Sequence, residues 1–338
     1  MSGKLVVGVD MSKKDFVAAT RVGNQEKQLG KFNNESSGFA ELHEQVEEQR
    51  RAEGLSEIHL ILEATGGYEA GLVAHAYEKG WLVSMPNPKQ VRDWAKGMGY
   101  RAKTDRVDTR MLAHYGQAVA PPARPQLPAE VSELDSLLKR RLDLEQALQK
   151  EQTRLSEMQG RPGIALPVTQ SLQQVSKALA QALSEIQSAI DRLTQSYEPF
   201  AEQQQRLLAL PGVGPKVVLP LLVKLFQWSN LTQGEGDSQG LTSFVGLDPQ
   251  PYESGTSVRR QPGISKMGDS EIRRLLYMGA LGGVHGNNPL KAFYQRLIGR
   301  GKAKKVALVA SARKILVWAW TIFSRNIAWN PDLHQIAS

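Results

Sequence analysis

Four carboxylates lie at predicted strand ends and on one predicted helix, where folding can bring them together, and they are the first indication of chemistry in this sequence. Asp10 and Glu63 each follow a short apolar run that is typical of a buried strand. Asp105 and Asp108 are three residues apart and therefore share one face of a helix. Hard oxygen ligands suit Mg²⁺ or Mn²⁺, and two such ions can clamp the attacking and leaving oxygens of a phosphodiester displacement. Singly, each acid also fits a turn cap or a solvated helix surface, but the whole pattern favours a metal site.

A second cluster consists of hydroxyls that lie beside glycine and are followed by two arginines: Tyr252, Ser254, Thr256 and Ser257, then Arg259 and Arg260. A serine that attacks a phosphodiester needs cationic neighbours to stabilise the charge of the phosphorane. The residue types alone do not select one hydroxyl, and they also fit a phosphate-contacting loop or a plain surface loop. The chain has no cysteine, which excludes a thiol nucleophile and any cysteine-ligated zinc or iron–sulfur site.

Positive charge is concentrated near the C-terminus. The net charge is +8, yet Ile272–Pro331 alone contains eleven basic residues and no Asp or Glu, so the remainder is slightly acidic. A basic module on a near-neutral body indicates a polyanionic partner. The candidate phosphate contacts in this module are Arg273, Arg274, Lys302, Lys304 and Lys305.

The stretch LPGVGPK, residues 210–216, is a short glycine-flanked turn between helical segments. Such a turn exposes backbone N–H groups to a phosphate oxygen, as in helix-hairpin-helix DNA-binding elements. Gly212, Gly214 and Lys216 are its candidate nucleic-acid contacts. An ordinary tight helix–helix turn explains the same residues equally well.

The elements that must position these residues fall into three predicted domains. Residues 1–120 alternate strand and helix signals, which predicts an α/β domain with a mixed sheet. A proline-rich linker begins at Ala120 and leads into two long helices, which we expect to form a coiled-coil hairpin over residues 121–200. Residues 201–330 are predicted to form a mostly helical domain that carries the glycine turn and the hydroxyl cluster.

The motifs resemble those of one enzyme family along nearly the whole chain. The order strand-Asp, strand-Glu, helix-DxxD is similar to the ribonuclease H-like fold of RuvC-type junction resolvases. GVDMSKKDF, LEATGGY, NPKQVRDWA and KTDRVDTRMLA resemble the N-terminal half of DEDD-type insertion-sequence transposases, a family that includes the Piv-type site-specific invertases. LPGVGPK, FVGLDPQPYESGTSVRR and SKMGDSEIRRLLYMGA resemble its C-terminal transposase domain.

This resemblance implies specific roles. The DEDD tetrad falls on Asp10, Glu63, Asp105 and Asp108, and the YESG-type serine, which links covalently to DNA in the family, falls on Ser254. Many members are guided by a structured non-coding bridge RNA that pairs with donor and target DNA. The resemblance therefore implies donor DNA, target DNA and a guide RNA as partners. The helical hairpin is too thin to be a self-sufficient globule, so we also expect a homo-oligomer (dimer or tetramer) that the coiled coil holds together.

The expected function is that of a DNA recombinase or transposase. The alternatives are a RuvC-like, metal-dependent junction nuclease that uses water as nucleophile, a DNA invertase without an RNA guide, and a non-enzymatic nucleic-acid-binding protein. The N-terminus has no long apolar signal region, and the late apolar stretch is interrupted by Arg313 and Lys314, so we expect no membrane span. The expected location is the cytoplasm of a prokaryote, in association with the nucleoid.

Overall fold

The computed structural model describes residues 3–100, 105–254 and 258–331, without the side chains of residues 105–106, 250–254 and 258–262. The chain divides into two compact units, Met1–Gln126 and Leu127–Ser338. Each unit has its own hydrophobic core.

The first unit is built on a five-stranded mixed sheet. Its strands are β1 (Lys4–Met11), β2 (Asp15–Val22), β3 (Gln25–Asn33), β4 (Glu57–Leu62) and β5 (Leu82–Ser84). The strand order is β3-β2-β1-β4-β5, with antiparallel pairing among β1, β2 and β3 and parallel pairing among β1, β4 and β5. This confirms the predicted mixed sheet and is consistent with a ribonuclease H-like domain.

Helices cover both faces of this sheet, because β1 and β4 alternate buried side chains between two clusters. Leu5, Val7 and Val9 pack with α1 (Ser36–Ala52) and α2 (Ala70–Glu78). Val6 and Ile61 pack on the opposite face with α3 (Pro88–Gly97) and α4 (Asp105–Val119). Residues that alternate along β1 and β4 therefore face different helices, which decides where the strand-end acids point.

Helix α3 (Pro88–Gly97) begins where Pro86 and Pro88, taken from the sequence alone, indicate only the end of a strand. Pro88 instead occupies the first helical turn, where its missing N–H costs nothing. The Asn87 side chain caps the helix by accepting a hydrogen bond from the Lys89 backbone N–H at 2.9 Å.

The second unit is mostly helical, as predicted. Its elements are α5 (Ala129–Met158), α6 (Leu166–Ser196), α7 (Glu198–Leu208), α8 (Pro215–Leu231), α9 (Ser238–Val245), β6 (Pro249–Ser254), β7 (Val258–Ile264), α10 (Ser270–Gly283), α11 (Pro289–Gly299) and α12 (Lys304–Arg325). Helices α5 and α6 pack against each other, and the Arg141 guanidinium donates to the Gln187 side chain across them at 3.3 Å. The antiparallel β6–β7 hairpin replaces the irregular segment expected there.

Helix α12 lies at the centre of the second unit. Ten of its residues are buried, including Trp318, which is 2% exposed. Its length and composition alone would allow it to cross a membrane. Because most of its apolar stretch is buried against the other helices, α12 is the core helix of this unit.

Candidate active site

The ends of two adjacent parallel strands bring Asp10 and Glu63 together. The pairing of β1 with β4 runs to Val9 opposite Leu62, so Asp10 and Glu63 occupy the next position on each strand. Neighbouring strands lie about 4.8 Å apart. Both acids are partly buried. By alternation from Val9 and Leu62, which face α1 and α2, both acids are on the α4 side of the sheet.

Helix α4 runs antiparallel to β1, so it begins at the edge of the sheet where Asp10 lies. Near its C-terminal end, Gly116 lies against the side chains of Val6 and Ile61. Near its N-terminal end, the backbone of Thr109 lies directly over Gly8. The absence of a side chain at Gly8 is what allows helix and strand to approach so closely.

This orientation brings the start of α4 to the acid-bearing edge. Asp108 is partly buried and immediately precedes Thr109, which is fully buried. Asp105 is the first residue of the helix, and its side chain lies outside the described part of the structure. The backbone thus gathers all four predicted metal ligands at one edge of the first unit.

The described side chains do not by themselves form a complete metal centre. Within the ranges described, no group of three or more His, Asp or Glu side chains is spaced to hold a metal ion. The donor set is nevertheless chemically suited to Mg²⁺ or Mn²⁺, because all four predicted ligands are carboxylates. The metal role of Asp10, Glu63, Asp105 and Asp108 stays a prediction.

Two residues that the sequence analysis did not select organise the loops beside these acids. One Glu69 carboxylate oxygen accepts hydrogen bonds from the Thr65 hydroxyl at 2.7 Å, the Thr65 N–H at 3.1 Å and the Gly67 N–H at 3.0 Å. Burial would raise the pKa of Glu69, but these hydrogen bonds lower it below its ordinary value. The loop that follows Glu63 is therefore folded around a carboxylate held in its ionised form.

Asn34 links this loop to the loop that follows Asp10. Its side-chain amide donates to the Ser12 carbonyl at 3.1 Å and to the Tyr68 carbonyl at 3.0 Å. It thereby ties together the segments that leave β1 and β4. Neither Asn34 nor Glu69 belongs to a spacing pattern, so the sequence contained no signal that could have identified them.

Ser254 is the last residue of β6 and pairs with Val258, the first residue of β7. In the same register Arg259 lies opposite Glu253, and Arg260 lies opposite Tyr252. The backbone of one hairpin therefore carries Ser254 and both arginines. The predicted hydroxyls Thr256 and Ser257 lie outside the described residues, as do the side chains of Tyr252, Ser254, Arg259 and Arg260.

The glycine turn separates α7 from α8 and packs on α10. Gly212 has a φ of +86°, and a Cβ there would lie 2.6 Å from the Gly279 carbonyl oxygen of α10. Gly214 is the N-cap residue of α8, and Lys216 in the first turn is exposed. The turn thus has the form predicted for a phosphate-binding hairpin, but its glycines also serve close backbone packing.

The basic residues predicted to contact nucleic acid differ in whether they already have partners within the protein. Arg273 is partly buried and donates to the Val245 carbonyl at 2.9 Å, and Arg274 pairs with Glu271 at 2.5 Å. The hydrogen bond and charge of Glu271 raise the pKa of the Arg274 guanidinium. Lys302, Lys304 and Lys305 are exposed and make no ion pair within the described ranges. Arg273 therefore fixes the end of α9, whereas the three lysines are open to a polyanion.

Known proteins resemble both units. A sequence model described as a transposase, of the DEDD type of IS110, matches residues 7–158. A second, described as the transposase IS116/IS110/IS902 family, matches residues 204–295.

Curated relatives match as well. The pilin gene-inverting protein of Moraxella bovis is 29% identical over 334 residues, which span 98% of this chain and 99% of the relative. The corresponding protein of Moraxella lacunata matches to the same extent. An uncharacterised protein of insertion element IS110 from Streptomyces coelicolor is 27% identical over 158 residues, which span 45% of this chain and 37% of that protein.

The first family match covers the residues at the sheet edge, and the second covers the glycine turn and the β6–β7 hairpin. The non-enzymatic alternative is thereby excluded. The chain belongs to the DEDD-type IS110 family of transposases and DNA invertases, and is a DNA recombinase.

Proposed function

We propose that this protein cuts and rejoins DNA through a covalent serine–DNA intermediate, with Ser254 as the nucleophile. The Ser254 hydroxyl attacks a backbone phosphorus, its proton is removed, and a serine–phosphate ester forms. The bond from phosphorus to one bridging oxygen breaks, and that oxygen leaves as a free DNA hydroxyl after it takes a proton. A hydroxyl of the second DNA then attacks the serine ester, which joins the strands and restores Ser254.

The observation that carries the metal-dependent part of the proposal is the position of Asp10 and Glu63. They lie at the ends of adjacent parallel strands, at the edge of the sheet where α4 begins. We assign Asp10, Glu63, Asp105 and Asp108 as the residues that hold Mg²⁺ or Mn²⁺. When bound, such an ion stabilises negative charge on the scissile phosphate and on the leaving oxygen. The hydrogen bonds of Glu69 and Asn34 fix the loops that directly follow the two strand-end carboxylates.

The hairpin supports a hydroxyl nucleophile in this segment, and the choice of Ser254 over Tyr252 rests on the family resemblance. Arg260 pairs with Tyr252, two residues before Ser254 and on the same face of the hairpin by alternation, so one cationic residue accompanies the attacking group on its face. Cationic groups near the reacting phosphate stabilise the charge that develops during transfer. The family resemblance selects the same serine.

The proposal extends to guidance and assembly. A bridge RNA supplies sequence specificity by base pairing, and the basic segment supplies phosphate contacts that do not depend on sequence. A homo-oligomer is supported by apolar side chains exposed on one face of α6, where Val168 is 42% exposed and Val175, seven residues later, is 44% exposed. Pairing of this face with a second copy in a coiled coil would remove it from water.

Site-specific inversion is the second candidate function. It is favoured by the end-to-end match to proteins named as pilin gene-inverting proteins. An inverting enzyme recombines two sites in opposite orientation on one molecule, whereas a transposase joins element ends to a separate target. Two substrates separate these functions: a plasmid with inverted sites, and a donor plasmid paired with a target plasmid. Recombination of each is measured with and without the RNA transcribed beside the gene.

The serine mechanism is tested in the full-length protein with Ser254→Ala and Ser257→Ala. We expect Ser254→Ala to abolish recombination and the protein–DNA adduct that denaturing gels reveal, while Ser257→Ala retains both. An adduct that persists in Ser254→Ala would overturn the assignment. Metal-dependent cutting that leaves only free ends in the wild type would identify a junction nuclease instead.

The carboxylate site is tested with Asp10→Asn, and Asp93→Asn serves as the matched control. Asp93 is an exposed acid of α3 in the same unit, and its ion pair with Lys96 is long, at 3.8 Å. We expect Asp10→Asn to remove Mg²⁺-dependent strand cleavage while DNA binding and thermal unfolding stay near wild type. Full cleavage activity in Asp10→Asn would refute the metal site.

A further inference from the structure

A single carboxylate connects the β2–β3 hairpin of the first unit to helix α4. Glu26 of β3 lies directly opposite Arg21 of β2 in the strand register. One carboxylate oxygen of Glu26 accepts a hydrogen bond from the Arg21 guanidinium. The other oxygen accepts from the Arg110 guanidinium of α4, whose Nε donates at 2.7 Å and whose Nη2 also contacts it. Glu26 is therefore the shared partner of one strand arginine and one helix arginine.

This network is better protected from solvent than an ordinary surface ion pair. The side chains of Arg21 and Glu26 are only 13% and 17% exposed, whereas that of Arg110 is about half exposed. A partly buried charged contact is screened less by water and salt than an exposed one. Glu26 and Arg110 are also 84 positions apart in the sequence. Their contact therefore fixes one element against another rather than closing a local turn.

The attachment point on α4 lies close to the predicted metal ligands. Arg110 is two residues after Asp108, in the second turn of the helix. The residue between them, Thr109, is fully buried, and its hydroxyl lies 3.5 Å from the side-chain amide of Gln28, which also donates to a carbonyl of β2 at 3.1 Å. Glu26 and Gln28 are two positions apart on β3 and therefore lie on the same face of the sheet. The β3 strand thus contacts α4 at two successive residues directly after Asp108.

We propose that Glu26 is a positioning residue for the metal-dependent reaction. Through Arg110 it holds the first turns of α4 in the orientation at which Asp105 and Asp108 face the strand-end acids. The contact at Gly8 limits how closely α4 approaches the sheet, but such a contact does not resist rotation of the helix about its own axis. A charge-assisted hydrogen bond from the second turn to a neighbouring strand does resist rotation, because rotation would break it.

This inference deepens the proposed function, because it rests on the four carboxylates holding a divalent ion. It assigns an effect on metal binding to a residue that is not one of the predicted ligands. Groups that orient the ligands of a metal from outside change its affinity by about 10-fold to 100-fold when they are altered. We expect the smaller value for Glu26, since it acts through the helix rather than by a bond to a ligand.

The test measures Mn²⁺ binding by the full-length protein without DNA, from the loss of the electron paramagnetic resonance signal of the free ion. We expect Glu26→Gln and Arg110→Gln each to raise the dissociation constant for Mn²⁺ about tenfold. Long-range electrostatics alone would make Arg110→Gln bind the cation more tightly, so weaker binding in both variants identifies the contact itself. The double variant should bind no more weakly than either single variant, because both changes break the same contact.

Strand cleavage provides a second measurement. Each single variant should need about tenfold more Mg²⁺ for its half-maximal rate and should approach the wild-type rate at saturating Mg²⁺. Arg110→Gln keeps the mostly buried pair of Arg21 with Glu26, so it decides the test even if Glu26→Gln does not fold.

Glu57→Gln is the matched control. Glu57, on β4 of the same unit, pairs with Lys4 at 3.1 Å, and both side chains are about half exposed. This variant should bind Mn²⁺ as the wild type does, whereas Asp10→Asn should lose binding.

Wild-type affinity in Arg110→Gln, when Asp10→Asn has lost binding, would overturn the positioning role. Additive effects in the double variant would overturn it as well. Wild-type Mn²⁺ binding in Asp10→Asn would instead refute the proposed metal site, and this inference with it.

Discussion

Gly8 determines how closely the helix that carries Asp105 and Asp108 approaches the strand that carries Asp10, and Gly8→Ala tests this directly. A Cβ at this position would lie 2.5 Å from the Ala113 backbone nitrogen and 3.1 Å from its Cα, and closer still to the Thr109 carbonyl oxygen. Ordinary contacts of a Cβ begin near 3.4 Å. Because these neighbours are backbone atoms, no side chain can rotate away, and α4 must move by about 1 Å.

Two consequences follow from that displacement, and both are measurable. Overpacking of this kind costs about 1–3 kcal/mol in the free energy of unfolding, which urea denaturation measures. A shift of about 1 Å at a reacting centre lowers a rate by about 10²-fold. We therefore expect Gly8→Ala to lose about two orders of magnitude in metal-dependent strand cleavage at a temperature where it is still folded.

Gly97→Ala is the matched control for this change. A Cβ on Gly97, at the end of α3 in the same unit, would meet nothing within 4 Å. Alanine there is expected to leave cleavage unchanged and to stabilise the fold by up to about 1 kcal/mol. If Gly8→Ala is destabilised but cleaves at the wild-type rate, then the position of α4 does not control the chemistry, and the inferred site is wrong.

Two further predictions concern stability and pH. Asp269 caps α10 and pairs with Lys224 at 2.9 Å; burial raises the pKa of its carboxyl, but Lys224 and two backbone N–H groups lower it more, to a net value below the ordinary one. The ion pair therefore stabilises the fold above about pH 4, and this stabilisation is lost as the pH falls further. In urea denaturation, we expect Asp269→Asn to be less stable than the wild type by about 1 kcal/mol at pH 7 and to lose less stability in acid. Equal dependence of stability on pH in the two proteins would contradict this. Burial lowers the pKa of His59 to about 4, while its Nε2 lies 2.7 Å from the Ser84 hydroxyl. The neutral imidazole is thus the folded form, and the wild type should lose stability as the pH falls from about 6.5 to about 4, a loss that should be smaller in His59→Gln.

The sequence alone predicted much of the first unit, and it supplied the four carboxylates that are proposed as metal ligands. The apolar runs before Asp10 and Glu63 predicted strands, and the three-residue spacing of Asp105 and Asp108 predicted a shared helix face, because both signals are local periodicities. Helix α3 was not predicted, because a proline can end a strand and can equally occupy the first turn of a helix. The β6–β7 hairpin escaped because its short strands contain glycine and proline, which are typical of irregular segments.

What only the tertiary structure decided is which residues meet across long sequence distances. The residue types suggested the chemistry that is proposed, since carboxylates bind hard cations, hydroxyls attack phosphorus, and an acid-free basic segment attracts polyanions. The meeting of Asp10 with Glu63 at one sheet edge depends on the parallel pairing of β1 with β4, and the position of the glycine turn depends on the close packing of Gly212 against Gly279 of α10. Such contacts depend on the burial of apolar faces between elements far apart in the chain, which no local pattern of residues encodes.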